Sequence, residues 1–174
     1  MMMYKNNKEE IDDIPFTSKV PITEKVVKWE LMKRDVPDEN IKSQEKVKNC
    51  PFVRNHEHKA DFMIISMKGE KLYIEVKGQM TYFEVNKLRF LLERHEEKFY
   101  VLQLTEIDWI NDVSNDINLS TAEKSKSIYE QQFLELLEFY KGDKTSSEMN
   151  ELSKQRLDYF VNARAKDIEN WENS

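Results

Sequence analysis

The chain has 174 residues, of which 39% are hydrophobic and 34% charged, so it can build one modest core and is excluded from the disordered class. The absence of an 18-residue apolar run excludes a membrane span, and the single cysteine, Cys50, excludes a disulfide framework and a cysteine-based zinc site. The net charge of -6 comes from residues 106–174, which carry 15 acidic and 8 basic side chains. Residues 51–105 carry 8 acidic and 9 basic ones, so the net charge does not exclude nucleic acid as their partner.

The first third of the chain contains a polar arm and one predicted helix. Residues 1–17 are polar and of mixed charge, which favours an N-terminal arm. The spacing of apolar residues predicts a helix that begins at Pro21 or Thr23 and ends near Arg34. Residues 47–54 read as a short extended segment.

The middle of the chain predicts a β-hairpin. Residues 60–67 are rich in strand-forming types, residues 68–70 form a turn with Gly69, and residues 71–77 form a second strand. Side chains of a strand alternate between its two faces. One face of the second strand therefore carries Leu72, Ile74 and Val76, and the other carries Tyr73, Glu75 and Lys77.

The remaining elements are mostly helical. Residues 82–96 predict a helix and residues 98–105 a third strong strand. Residues 106–119 indicate an acidic loop or a short helix. Two amphipathic helices then follow over residues 120–141 and 147–172.

This order of elements predicts an α/β protein, with a core over residues 18–119 and an acidic helical extension over residues 120–174. The apolar stripes of the extension need a partner surface. We expect that surface to be either the core or a second copy of the chain in a homodimer, which is the commonest assembly.

Three side chains in the hairpin have the character of a phosphodiesterase site. Glu75 and Lys77 share one face of a strand, and Asp61 lies near the start of the neighbouring strand. Carboxylates suit a hard cation such as Mg²⁺ or Mn²⁺, which can polarise a phosphoryl oxygen and activate water. The lysine adds a charge that can stabilise the transition state.

Ordinary structural roles explain parts of the same pattern. Exposed strand faces commonly carry Glu and Lys as a pair, so Glu75 and Lys77 alone are a weak signal. His56 and His58 stand beside Asp61 and could bind a metal or a phosphate. Because no third histidine lies nearby to complete a zinc set, a solvated loop pair is the favoured interpretation.

Asp61 followed by Glu75-Val76-Lys77 on a second strand resembles the PD-(D/E)XK nuclease superfamily, with Ala60 in place of the motif's proline. The resemblance implies a restriction-endonuclease-like core: helix, three strands, helix and strand around a central mixed sheet. It also implies that Asp61, Glu75 and Lys77 are catalytic and that Asp61 and Glu75 bind the metal.

Many members of this superfamily place a further metal-binding glutamate on the first helix. Glu24 is the candidate here, with Glu30 in reserve. The two are six positions apart and therefore point to different sides of the helix. Glu24 also lies in the first helical turn, where a favourable contact with the helix dipole is its ordinary role.

Within the superfamily the layout is similar to phage junction-resolving endonucleases and to Holliday-junction resolvases. In this resemblance Lys87 on the following helix matches a lysine that such resolvases carry after the active-site strand. Gln79, directly after Lys77-Gly78, could contact the cleaved strand, and a polar turn residue is an equally good interpretation. We therefore expect a DNA endonuclease acting on branched DNA, and the same chemistry on RNA or on DNA ends stays open. The N-terminus lacks an apolar signal core, so we expect a cytoplasmic protein, and the composition is typical of a phage or mobile-element protein. The alternative is a catalytically idle nuclease fold that binds a protein partner through its acidic C-terminal helices.

Overall fold

A computed structural model describes residues 22–78, 81–103 and 121–172. The predicted arm at 1–17, the segment 106–119 and Gln79 lie outside these residues. No helix of the described part is long and apolar enough to cross a membrane. The elements are α1 (Ile22–Lys33), a 3-10 turn (Asp38–Asn40), β1 (Ile41–Val47), β2 (His58–Ile65), β3 (Lys71–Lys77), α2 (Tyr82–Glu93), β4 (Phe99–Gln103), α3 (Thr121–Lys141), α4 (Ser146–Ala163) and α5 (Ala165–Glu172).

Several predicted elements differ from the observed ones, and the strand predicted over residues 60–67 begins and ends two residues earlier, at His58–Ile65. The extended segment at 47–54 is wrong, because the strand lies earlier, at Ile41–Val47, and residues 48–57 form turns. Backbone bonds from Cys50 N to His56 O and from Val53 N to Cys50 O close those turns. The last predicted helix, over 147–172, is interrupted at Arg164 and forms two helices.

The four strands form one mixed sheet in the order β1-β2-β3-β4, and the protein belongs to the α/β class. β1 pairs antiparallel with β2, and β2 with β3. β3 and β4 are parallel and are connected through α2, as parallel neighbours require. The turn between β2 and β3 contains Gly69, whose φ of +83° suits a residue without a side chain.

Each face of the sheet is covered by helices. α1 and α3 cover one face, and we call this side the α1 face; α2 and α4 cover the other, the α2 face. α3 buries its apolar residues on the α1 face, while α4 places Leu157 and Phe160 on the α2 face and Met149 on the α1 face. A domain boundary near residue 119 stays a prediction. Buried residues of the α1 face include Leu31, Phe62, Ile74, Tyr100 and Phe133, and those of the α2 face include Met63, Tyr73, Leu88, Phe99 and Leu157.

The outer edge of β4 is closed by side chains from the C-terminal helices. Gln132 both accepts from the backbone N–H of Gln103 and donates to its carbonyl, at 2.7 and 2.6 Å. Ser153 accepts from Val101 N, and Asn150 donates to Phe99 O. These bonds satisfy backbone groups that an uncovered edge strand would offer to another chain.

Candidate active site

The candidate site lies where the sheet divides. The ladder between β2 and β3 ends at the pair Phe62–Ile74. Beyond that pair β2 continues beside β1 as far as His58, while β3 continues beside β4 as far as Lys77. Asp61 and Glu75, the next residue of each strand, therefore lie at the opening of a fork between two ribbons.

The alternation of β2 is interrupted at Asp61. Ala60 and Met63 both pack on the α2 face although three positions separate them, while Phe62 packs on the α1 face. On β1, Gln44 has a φ of +55°, an uncommon left-handed backbone for a residue with a side chain. Such local distortions cluster at functional sites, where the surrounding structure holds them in place.

The Asp61 carboxylate spans the opening of the fork. Its Oδ2 accepts a hydrogen bond of 2.7 Å from the backbone N–H of Val76 on β3. Burial and then the nearby Glu75 raise the pKa of Asp61, against the lowering effect of the Val76 bond. This aspartate is therefore held close to a second carboxylate in a partly desolvated place.

Glu24 joins the site from α1. The side chain is buried, and its Oε1 accepts a hydrogen bond of 2.5 Å from Gln44 Nε2. Burial, followed by repulsion from Asp61 and a hydrogen bond with the Asp61 carboxyl, raises the pKa of Glu24 to about 7. The reserve candidate, Glu30, instead forms ion pairs with Lys33 and Arg34.

Glu75 is the most enclosed carboxylate of the site, with 1% of its surface exposed. Its Oε2 lies 2.8 Å from His58 Nε2. Its Oε1 lies 3.8 Å from Lys77 Nζ and 3.9 Å from Lys87 Nζ. One carboxylate thus contacts a histidine on one oxygen and two ammonium groups on the other.

His58 lies in the candidate site, and the favoured interpretation of it as a solvated loop residue is wrong. It is the first residue of β2, is buried, and packs near the rings of Phe52 and Phe99. An ionised carboxylate only accepts, so His58 Nε2 is the donor of this bond when Glu75 is charged. The position of His58 on β2 could not be predicted from the sequence, because β1, the strand it pairs with, was not predicted.

The two lysines differ in their surroundings. Lys77 Nζ lies 3.5 Å from Glu84 Oε2, in the first turn of α2, a residue that the sequence analysis did not single out. Lys87 lies one turn further along α2, and burial lowers the pKa of its ammonium group. Lys87 was predicted as a DNA contact, and its place is inside the site beside Glu75.

The charges of these residues indicate whether the site would favour a bound metal ion. Acidic side chains outnumber lysines in the site, and the pKa of Glu24 is raised to about 7 because burial and Asp61 disfavour its charge. A hard divalent cation would relieve that repulsion, and oxygen ligands are its preferred partners. No group of three or more His, Cys, Asp or Glu side chains in the described part of the chain has the arrangement of a ready-made metal site. One oxygen of Asp61 binds Val76 N and one oxygen of Glu75 binds His58 Nε2.

The structure brings Glu24, Asp61, Glu75, Lys77 and Lys87 together, while Gln79 lies outside the described residues. In the comparisons with known proteins, the chain matches no family model, no curated protein and no solved structure.

Proposed function

We propose that this protein is a divalent-metal-dependent nuclease that hydrolyses DNA phosphodiester bonds at the fork between β2 and β3. The observation that carries the proposal is the convergence of Glu24, Asp61 and Glu75 with the lysine pair Lys77 and Lys87. Carboxylates for a cation, beside ammonium groups for a phosphate, are the groups that this reaction requires.

Glu24, Asp61 and Glu75 would hold Mg²⁺ or Mn²⁺. When bound, such an ion supplies Lewis-acid polarisation of a phosphoryl oxygen and a water of lowered pKa. The backbone N–H of Val76 orients Asp61 through its 2.7 Å hydrogen bond. His58 holds one oxygen of Glu75, so that the other oxygen faces the lysines.

Lys77 is positioned to act on the phosphate. Its Nζ is fixed between Glu75 and Glu84, at 3.8 and 3.5 Å, and its side chain is mostly buried. A preorganised charge in a poorly solvated place stabilises negative charge that develops on a phosphoryl oxygen. Lys77 would also orient the attacking water, while Lys87 binds a non-bridging phosphate oxygen.

The architecture supports the same proposal. Helix, three strands, helix and strand, with β3 parallel to β4, is the order that the resemblance to the PD-(D/E)XK superfamily implies. A restriction-endonuclease-like core is therefore part of the proposal. The choice of branched DNA and the formation of a homodimer stay predictions.

The idle-fold alternative depends on the C-terminal helices being available to a partner. Phe133, Leu136 and Phe139 of α3 are buried against the sheet, as is Leu157 of α4. These apolar residues therefore stabilise the protein itself, which favours the catalytic proposal over the alternative.

A cleavage assay tests the proposal. Supercoiled plasmid, linear duplex, single strands and a four-way junction are incubated with the protein, with and without Mn²⁺. We expect Mn²⁺-dependent cleavage that is abolished in Asp61→Asn and Glu75→Gln and retained in the matched variant Glu30→Gln. Cleavage by all variants alike, or by none including the natural protein, would contradict the proposal.

A further inference from the structure

Beyond the fork, β1 and β2 form a two-stranded ribbon with a concentration of basic side chains. Residues 42–59 contain five basic and two acidic residues, in a chain whose net charge is -6. Lys46, Lys48, Arg54 and Lys59 are all exposed. We call these four residues the basic ribbon.

Two of these lysines face each other. Lys46 and Lys59 are direct cross-strand partners, so their side chains lie on the same side of the ribbon. Like charges in that position are destabilising. Glu57 lies 3.9 Å from Lys46, but both side chains are well exposed, and an exposed pair of this kind contributes little. Among the described residues Lys59 forms no ion pair with a carboxylate, which leaves the two charges without full compensation.

The ribbon is close to the candidate site. Lys59 precedes Asp61 by two positions on β2, and Lys46 follows Gln44 by two positions on β1. Two residues of a strand span about 6.6 Å. The neighbouring pair, Val47 and His58, is buried, so the lysine pair points to the opposite side of the ribbon.

The charge of the ribbon contrasts with the C-terminal third of the chain, where 15 acidic residues face 8 basic ones. Duplex DNA carries one negative charge for about every 1.7 Å of its axis. The exposed lysine pair and the basic side chains near it complement that backbone, and phosphate contacts need no particular base sequence.

We propose that the basic ribbon binds the phosphate backbone of duplex DNA beside the bond that is cut. This inference rests on the proposed nuclease function and names the surface that holds its substrate. Lys46 and Lys59 form the centre of that surface, and bound phosphate relieves the repulsion between them.

The experiment measures DNA binding without cleavage. The Asp61→Asn protein is titrated against a fluorescent 20-base-pair duplex in EDTA at several salt concentrations, alone and with Lys46→Ala and Lys59→Ala added. Each lost phosphate contact lowers the salt slope by about 0.9, so we expect a decrease of about 1.8 and roughly tenfold weaker binding at low salt. Lys71→Ala with Lys141→Ala is the matched control, because Lys71 and Lys141 are exposed and lie at the other end of the strands. Circular dichroism verifies that each variant is folded.

The outcomes separate this inference from the proposed function. A decrease in salt slope that is specific to the ribbon variant supports the surface even if the protein cuts no DNA. An unchanged slope, an equal loss in the control variant, or the absence of duplex binding in the parent protein overturns it, whatever the cleavage assay shows. Binding to single strands only would also overturn it.

Discussion

Two buried ionic clusters in the described part of the chain differ in their balance of charge. In the first, Glu135 of α3 accepts hydrogen bonds of 2.7 Å from both Tyr100 and Arg156, and its second oxygen also binds Arg156. Burial and Glu135 raise the pKa of Tyr100 well above its usual value. Burial opposes the charge of Arg156, but the bonds to Glu135 raise the pKa of that guanidinium. Every charge in this cluster has a partner of opposite sign.

At the fork the balance is different. Glu24, Asp61 and Glu75 lie together, and the pKa of Glu24 is raised to about 7 by burial and by Asp61. A paired cluster joins α3, α4 and β4, whereas an unpaired excess of carboxylates costs free energy in the metal-free protein. The first cluster holds the fold together, and the excess of carboxylates in the second supports the proposed cation site.

The largest expected loss of stability follows from a substitution in the paired cluster of Tyr100, Glu135 and Arg156. Arg156→Met leaves Glu135 buried without its partner, and breaking a buried pair in this way costs about 3–5 kcal/mol. Denaturant unfolding measures the loss. Lys154→Met, on the same helix with a more exposed pair to Glu151, is the control and should change stability by less than about 1 kcal/mol. An Arg156 variant as stable as the natural protein would show that this cluster does not hold the fold together.

The next effect concerns catalysis at the fork. Lys77→Met should slow Mn²⁺-dependent cleavage by on the order of a hundredfold, the scale of losing one transition-state charge. DNA binding should change little, since one phosphate contact is a small part of the electrostatic total. Single-turnover kinetics and anisotropy separate the two effects. Normal cleavage with poor binding would make Lys77 a DNA contact only.

Removing a carboxylate from the fork should stabilise the metal-free protein, whereas removing Arg156 should destabilise it. Asp61→Asn keeps an oxygen that can accept from Val76 N and deletes one of the repelling charges. We expect metal-free stability to rise by on the order of 1 kcal/mol, measured at pH 7 in EDTA. Asp38→Asn, an exposed residue paired with Lys28, is the control and should change stability little. Destabilisation by Asp61→Asn would show that this carboxylate is structural.

The smallest effect is a pH dependence. Because the pKa of Glu24 is raised from 4.5 to about 7 in the folded protein, the folded state holds a proton that the unfolded chain has already released. The contribution of Glu24 to stability therefore falls as pH rises from about 4.5 to about 7. Glu24→Gln should remove on the order of 1 kcal/mol of that fall, since solvent screens part of the repulsion. The same slope in Glu24→Gln and the natural protein would contradict the pairing of Glu24 with Asp61.

The sequence predicted the parts of the fold that have strong periodicity. The strand at 71–77 and the α1, α2 and α3 helices lie where apolar spacing placed them. β1 was not predicted from the sequence, because Ile41–Val47 is a polar edge strand. Its apolar residues, Ile41 and Val47, are only at its ends. The missing β1 also concealed the burial of His58, since that residue enters the sheet through its pairing with Val47.

The site was predicted in composition but not in detail. Alternation could place Glu75 and Lys77 on one face, but it could not show the interruption at Asp61 or the left-handed Gln44. Both depend on contacts with α1 and β3 that are distant in the chain. Glu84 carried no signal either, because a glutamate in the first turn of a helix is an ordinary feature that complements the helix dipole.

Calorimetric titration with Mn²⁺ measures whether the fork between β2 and β3 binds a metal ion, as we propose. The natural protein should bind Mn²⁺, Glu75→Gln should bind it at least tenfold more weakly, and Glu30→Gln should bind it as the natural protein does. Failure of the natural protein to bind Mn²⁺, or equal binding by Glu75→Gln, would show that the fork is not a metal site.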